Sequence, residues 1–325
     1  MTVVIIEAPR EQPAPPPPLP TPKLFHLIKE NCTIEYIELQ QQQPTDATKD
    51  GAPSTAQVTI VLLHGAPSSY QDFHNIIPCL QQQLQNVNLR IIGVNLPGFG
   101  GSVPDPEQYF EQISALPSIK LTLQMLRELC TPEENVFLMG HSFGAHSVIN
   151  LAVFNQEPRG GDDSSTAQTL NIKGMVLLAP VGCRPHHVVK PKTIAFIVRL
   201  LRSSNSVIAG MMPGINKFLY TKMLGFSGDF PASHYVAAIV RASTTDFSDI
   251  AGHVEATKAT TPTFLAWTKD DEYVEEEIPQ ELAELCNPSG PRIVFTDAGH
   301  FIQSTHPEYL ACEVAKWVRQ VLPPK

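Results

Sequence analysis

Short apolar runs alternate along this chain with stretches whose apolar residues recur every three or four positions. Residues 33–40, 59–63, 90–94, 135–139, 175–180, 261–267 and 292–295 read as strands, several of them apolar without interruption. Uninterrupted runs of this length suit strands buried on both faces. Between them, residues 70–84, 121–130, 145–153 and 307–321 carry helical spacing. This alternation predicts a single α/β core. The long interval 184–260 separates two of the strands, and its stretches 193–201, 214–224 and 232–242 read as helices.

The segments without such patterning set the boundaries. Eight of the fifteen residues from 8 to 22 are proline, so this stretch cannot supply a core. Residues 1–22 are therefore expected to form a solvated, disordered tail of polyproline type, with recognition by an SH3 or WW domain as the less favoured use. Residues 41–54 read as a flexible polar hairpin connection. Residues 156–170, with Gly160-Gly161-Asp162-Asp163, read as a surface loop rather than a calcium site. The expected organisation is a core from 23–183 and 261–325, with 184–260 inserted into it.

Composition narrows the function. With 325 residues, 42% hydrophobic and 17% charged, the chain is long enough for one large core and an insertion. A net charge of −9 disfavours phosphate backbones, so no nucleic-acid partner is expected. No run approaches the roughly 20 apolar residues of a membrane span. The apolar patch before Glu7 lacks the basic start and length of a signal peptide. Six cysteines without paired spacing point to a reducing compartment, and the cytoplasm is the expected location. The pairs His186/His187 and His141/His146 lack partner ligands, so neither a metal nor another cofactor is expected, and His146 is expected to be structural.

Chemistry concentrates at strand ends. Gly140-His141-Ser142-Phe143-Gly144 joins the strand at 135–139 to the helix that follows, the context in which a Gly-x-Ser-x-Gly turn exposes its serine as a nucleophile. A serine hydroxyl needs a general base, and the base needs an orienting carboxylate. Asp270, Asp271 and Glu272 follow the strand at 261–267, and His300 follows the strand at 292–295. The chain order is thus serine, acid, histidine. Two backbone N–H groups must also stabilise the oxyanion: that of Phe143, after the nucleophile, and that of Ala66, in the loop after the strand at 59–63. His64, Gly65, His141, Met212 and Tyr220 are the candidate substrate contacts.

These residues resemble the α/β-hydrolase superfamily, in particular its capped branch of epoxide hydrolase-like and haloalkane dehalogenase-like enzymes. The resemblance is carried by His64-Gly65-Ala66-Pro67-Ser68, Asn95-Leu96-Pro97-Gly98-Phe99-Gly100-Gly101-Ser102, Gly140-His141-Ser142-Phe143-Gly144, Asp271-Glu272-Tyr273-Val274 and Ala298-Gly299-His300-Phe301-Ile302-Gln303. The overall pattern also looks like a sparsely characterised group of invertebrate α/β-hydrolase-like proteins. The resemblance implies a mostly parallel sheet flanked by helices, with a helical cap at 184–260. In such relatives the acid stands three residues before a Val or Ile, which selects Asp271 through Val274.

Two departures limit it. Epoxide hydrolases and dehalogenases carry an aspartate at the elbow where this chain has Ser142, which forms an acyl-enzyme rather than an alkyl ester. Acyltransferase-like relatives carry a His five residues before an Asp, and none of the eleven histidines does so. The expected function is hydrolysis of a carboxylic ester or thioester of an apolar acyl compound, with carbon–carbon bond hydrolysis or a non-turnover small-molecule receptor as alternatives. Met211, Met212, Phe218, Tyr220, Met223 and Phe226 offer an apolar lining, although most are expected simply to pack the cap on the core. Lys190, Lys192, Arg199 and Arg202 flank an apolar helix, which raises peripheral membrane contact as the less favoured reading beside a plain solvated helix.

Overall fold

The computed structural model describes residues 3–41, 57–157 and 169–322. The loops expected at 41–54 and 156–170 lie almost wholly outside the described residues. Nine strands form one sheet: β1 (Val3–Ile6), β2 (Lys23–Leu27), β3 (Cys32–Gln41), β4 (Gln57–Leu63), β5 (Asn88–Val94), β6 (Asn135–His141), β7 (Ile172–Leu178), β8 (Thr263–Thr268) and β9 (Arg292–Phe295). Their order is β1-β9-β8-β7-β6-β4-β5-β3-β2, and all run in one direction except β3, which is antiparallel to both of its neighbours. This is the α/β-hydrolase arrangement that the motif order implied.

Both faces of the sheet are covered, which explains the uninterrupted apolar runs. In β6, Val136 and Leu138 enter the core on one face, beneath helices Ala115–Leu129 and Gly144–Gln156. Phe137 and Met139 enter the core on the other, beneath helices Ile76–Gln83 and Pro307–Val321. Successive side chains point to opposite faces, so a strand between two helical layers has no polar side to show. Strands leave β4 in both directions, to β5 on one side and β6 on the other. That reversal opens a crevice at the carboxyl ends of β4 and β6, where a doubly wound sheet binds its ligands.

Several expectations are corrected. Residues 70–84 are not one helix but a 3₁₀ turn, Tyr70–Phe73, followed by helix Ile76–Gln83. Pro78 has no N–H to donate and is accommodated in the first turn of a new helix. Helix Phe247–Lys258 was not anticipated; Asp246 caps it through the Ser248 and Asp249 amides. It packs on helix Gly144–Gln156, with His253 Nδ1 2.7 Å from Asn150 Oδ1. The end of the interval 184–260 therefore lies in the layer covering the sheet, and the helices that stand apart from it run from Pro191 to Thr244.

The amino-terminal stretch differs most. Residues 3–22 are mostly exposed but do not form a detached tail: they are held along the body of the protein by specific contacts. Val3–Ile6 extends the sheet beside β9, and the Thr296 amide donates to the Ile6 carbonyl. The Glu11 carboxylate accepts from the Glu308 and Tyr309 amides, satisfying the first turn of helix Pro307–Val321, whose own N-cap offers no side-chain bond. The Pro17 carbonyl accepts from His74 Nε2, and Leu19 packs against the core on the face that holds Phe137 and Met139. A proline-rich backbone lacks donors but keeps every carbonyl, so it can be held by donors from the body of the protein. No helix among the described residues is long and apolar enough to cross a membrane.

Candidate active site

Ser142 follows β6 directly and has φ 54°, in the left-handed region that a residue with a Cβ rarely adopts. Its N–H donates to the Leu178 carbonyl at the end of β7, and its own carbonyl accepts from the Ala145 amide. The turn is this tight because its glycines are required. A Cβ on Gly140 would overlap the Gly144 carbonyl, and a Cβ on Gly144 would overlap the carbonyl oxygen of Leu63 at the end of β4.

His300 and Asp271 stand on the loops after β9 and β8. His300 Nδ1 donates to Asp271 Oδ2 at 2.7 Å, with the two side chains 4% and 5% exposed. Asp271 Oδ1 accepts from the Tyr273 and Val274 amides at 2.9 and 3.0 Å. The spacing to Val274 thus has a physical basis: the carboxylate caps the turn that follows it. Burial works to raise the Asp271 carboxyl, but the His300 bond and these amides outweigh it and hold the group below the ordinary carboxylate range.

Asp270 points away from the histidine ring. It accepts from the Ala298 and Gly299 amides of the His300 loop, from the Thr268 hydroxyl and from Arg10 of the amino-terminal segment. Burial raises its carboxyl while the Thr268 hydroxyl and the two amides hold it far below its usual value. Glu272 accepts from the His300 amide at 3.1 Å. Three adjacent carboxylates therefore hold one loop, and a single one holds the imidazole.

Ser142 and His300 open into a cavity of about 700 Å³. Gly65, Ala66, His141, Phe143 and Tyr220 are among the residues that line it. Burial pushes the Tyr220 phenol above its ordinary range. His141 is a wall rather than a free contact: Nε2 donates to the His300 carbonyl at 3.1 Å and Nδ1 faces Asp72 at 3.4 Å.

Two expected contacts are corrected. His64 is fully buried beneath Phe99; its Nδ1 donates to the Gly65 carbonyl and its Nε2 accepts from the Leu96 amide. It braces the loop without reaching the cavity. Met212 packs into the core, because helix Ser206–Phe218 turns that face inward, and Met223 lines the cavity instead.

Two cavity residues, His186 and Asn216, stand outside the substrate contacts read from the sequence, whereas Phe226 belongs to the apolar lining that the sequence offers. His186 is 5% exposed, and its ring has the Tyr273 backbone beside it but no well-formed hydrogen bond among the described residues. Asn216 is fully buried; its Nδ2 donates to the Tyr235 carbonyl at 2.7 Å, which leaves Oδ1 unpaired. Phe226 stacks on Tyr273 at 4.6 Å, and Tyr273 meets the edge of His300 at 5.1 Å. In the sequence His186 suggests only metal ligation, and an asparagine inside a helix carries no motif to mark it.

Burial lowers His64, His146 and His186 each to about 4, with the nearby Arg241 guanidinium adding to the effect at the first two. In the unfolded chain these imidazoles take up protons near pH 6.5. Between those values the unfolded chain binds more protons, so stability falls as the pH falls from 6.5 towards 4. Three such groups give a slope of at most about 4 kcal/mol per pH unit. Urea unfolding across that range should show it, and a slope below that of one proton would refute the three buried neutral imidazoles.

Residues 24–289 match the model of a family described as α/β hydrolases of unknown function. An uncharacterized protein of Caenorhabditis elegans, F35H12.5, is 23% identical, the match covering 87% of this chain and 81% of the relative. An esterase from Exiguobacterium antarcticum superposes with a TM-score of 0.59 at 14% identity, covering 92% of this chain and all of the esterase. A loop variant of a haloalkane dehalogenase from Bradyrhizobium elkanii gives 0.59 at 17% identity, covering 93% and 97%.

Proposed function

The chain belongs to this family of α/β hydrolases, and from that premise we propose that it is a serine hydrolase acting on a carboxylic ester or thioester. The observation that carries the reading is that His300, bonded to Asp271, opens into the same cavity as Ser142, which is held at φ 54°. In the proposed reaction Ser142 Oγ attacks the carbonyl carbon and His300 accepts its proton. The Ala66 and Phe143 amides receive the oxyanion. His300 returns the proton to the leaving group, then deprotonates the water that releases the acid. Asp271 fixes the tautomer and stabilises the imidazolium.

The helices from Pro191 to Thr244 act as a cap in this reading, since Ile194, Ile197, Leu219 and Met223 complete the cavity wall. That wall favours an apolar acyl or alkyl group. The unpaired Asn216 Oδ1 favours a substrate that also bears a hydroxyl or N–H, because a buried polar group without a partner costs about 1–3 kcal/mol. Alkyl-halide and epoxide chemistry are disfavoured by a serine at the elbow. None of the six cysteines is joined in a disulfide among the described residues, which supports a cytoplasmic location.

A fluorophosphonate probe tests the assignment. It should label the protein stoichiometrically, with the adduct mapping to Ser142, and a panel of esters and thioesters should turn over repeatedly. Folded protein that resists the probe would refute the hydrolase reading. Labelling with a single turnover would instead favour a receptor.

A further inference from the structure

The exposed apolar side chains of this protein are concentrated in one place. Seven of the fifteen large exposed ones among the described residues fall between Phe196 and Met223. On helix Ser206–Phe218, Val207, Met211, Ile215 and Phe218 recur at helical spacing and make one outward stripe, while Met212 and Asn216 face inward. Val207 is 66% exposed and Met211 61%. On the neighbouring helix Pro191–Leu201, Phe196 looks out while Ile197, Val198 and Leu201 are buried. Water gains nothing from such a stripe, and scattered exposure does not produce this clustering.

Charge is segregated in the same interval. From residue 184 to 228 the chain carries seven Lys and Arg and no Asp or Glu, in a protein of net charge −9. Arg184 is paired with Glu281, Arg202 lies over the Phe110 ring, and Lys217 donates to the Phe230 carbonyl. Lys190, Lys192, Arg199 and Lys222 are exposed and make no ion pair among the described residues. Lys192, Phe196 and Arg199 share one helix face, and Lys222 adjoins Met223.

The patch is continuous with the cavity. Met223 is 71% exposed and lines the cavity that holds Ser142, as does Lys190. We propose that the face formed by helices Pro191–Leu201 and Ser206–Phe218 with the turn Leu219–Met223 docks on a membrane surface bearing anionic lipid, so that apolar ligands pass from the bilayer into the cavity beside Met223. Apolar area alone would suit a protein partner equally. The cationic interval 184–228, which itself contains no Asp or Glu in an otherwise acidic protein, selects an anionic lipid surface. The docking rests on the surface itself, and only the passage of a substrate rests on the hydrolase reading.

Flotation of the full chain with vesicles tests it. Binding to phosphatidylcholine vesicles containing phosphatidylglycerol should exceed binding to phosphatidylcholine alone by about tenfold or more, and should weaken with added salt. Met211→Ser/Ile215→Ser and Lys192→Glu/Arg199→Glu should each lose that binding with unchanged circular dichroism, whereas Ser142→Ala should keep it. Absence of binding, or equal binding to both vesicles, overturns the proposal. So does concentration-dependent dimerisation abolished by Met211→Ser/Ile215→Ser, which would make the face a contact between copies. Because Ser142→Ala reports docking without turnover, failure of the hydrolase reading and failure of docking are read separately.

Discussion

Ser142→Ala lowers the rate of ester hydrolysis by about 10⁶-fold, His300→Ala by a similar factor, and the double variant falls little further. The three numbers belong together. In the proposed mechanism the hydroxyl and the imidazole act in one proton transfer, so either loss removes the same step. What survives is the contribution of the Ala66 and Phe143 amides and of binding, about 10³–10⁴ over water. Single-turnover kinetics with an activated ester measures all three. A double variant slower by the product of the single losses would show that the two residues act independently, and the proposed mechanism would fail.

Ser142→Gly provides an internal control on the geometry. A glycine occupies φ 54° without the penalty a Cβ incurs, which is of order 1–3 kcal/mol. It should therefore be inactive yet more stable to urea than Ser142→Ala. Retained stability with lost activity separates the chemistry of the hydroxyl from the packing of the turn.

The sheet was legible because burial on two faces leaves a plain mark: Val136 to Met139 can only be a strand between two apolar layers. The elbow was legible because Gly140 and Gly144 are required by backbone approach, a constraint that no other residue type meets. Asp271 was a different case. Three adjacent carboxylates look alike in sequence, and resemblance chose among them. The physical reason, two amides on Oδ1 and an imidazole on Oδ2, appears only once the loops are folded.

What escaped the sequence depends on contacts distant along the chain or on helix phase. Val3–Ile6 finds its strand partner at Arg292–Phe295, and Arg10 finds Asp270 and Asp297, pairings across most of the chain that local pattern does not encode. His64 stands at the right strand end, but Phe99 covers its ring. Met212 and Met223 are equally apolar, and only the rotation of the helix sends one to the core and the other to the cavity.

Asp271→Asn lowers kcat by about 10⁴-fold without unfolding the protein. The new side-chain oxygen still accepts from the Tyr273 and Val274 amides, so the turn survives. Its NH₂ group then faces His300 Nδ1, which must accept rather than donate. The ring proton moves to Nε2, the nitrogen that has to take the proton of Ser142, and the base is lost. Asp270→Asn has the opposite profile. It weakens the charge-assisted bonds to Ala298, Gly299 and Arg10, which costs about 2 kcal/mol of stability. Activity stays within about tenfold, because His300 keeps its own carboxylate. Comparing kcat with the urea midpoint for the two variants distinguishes the roles. Loss of kcat in Asp270→Asn with normal kcat in Asp271→Asn would overturn the assignment of the acid.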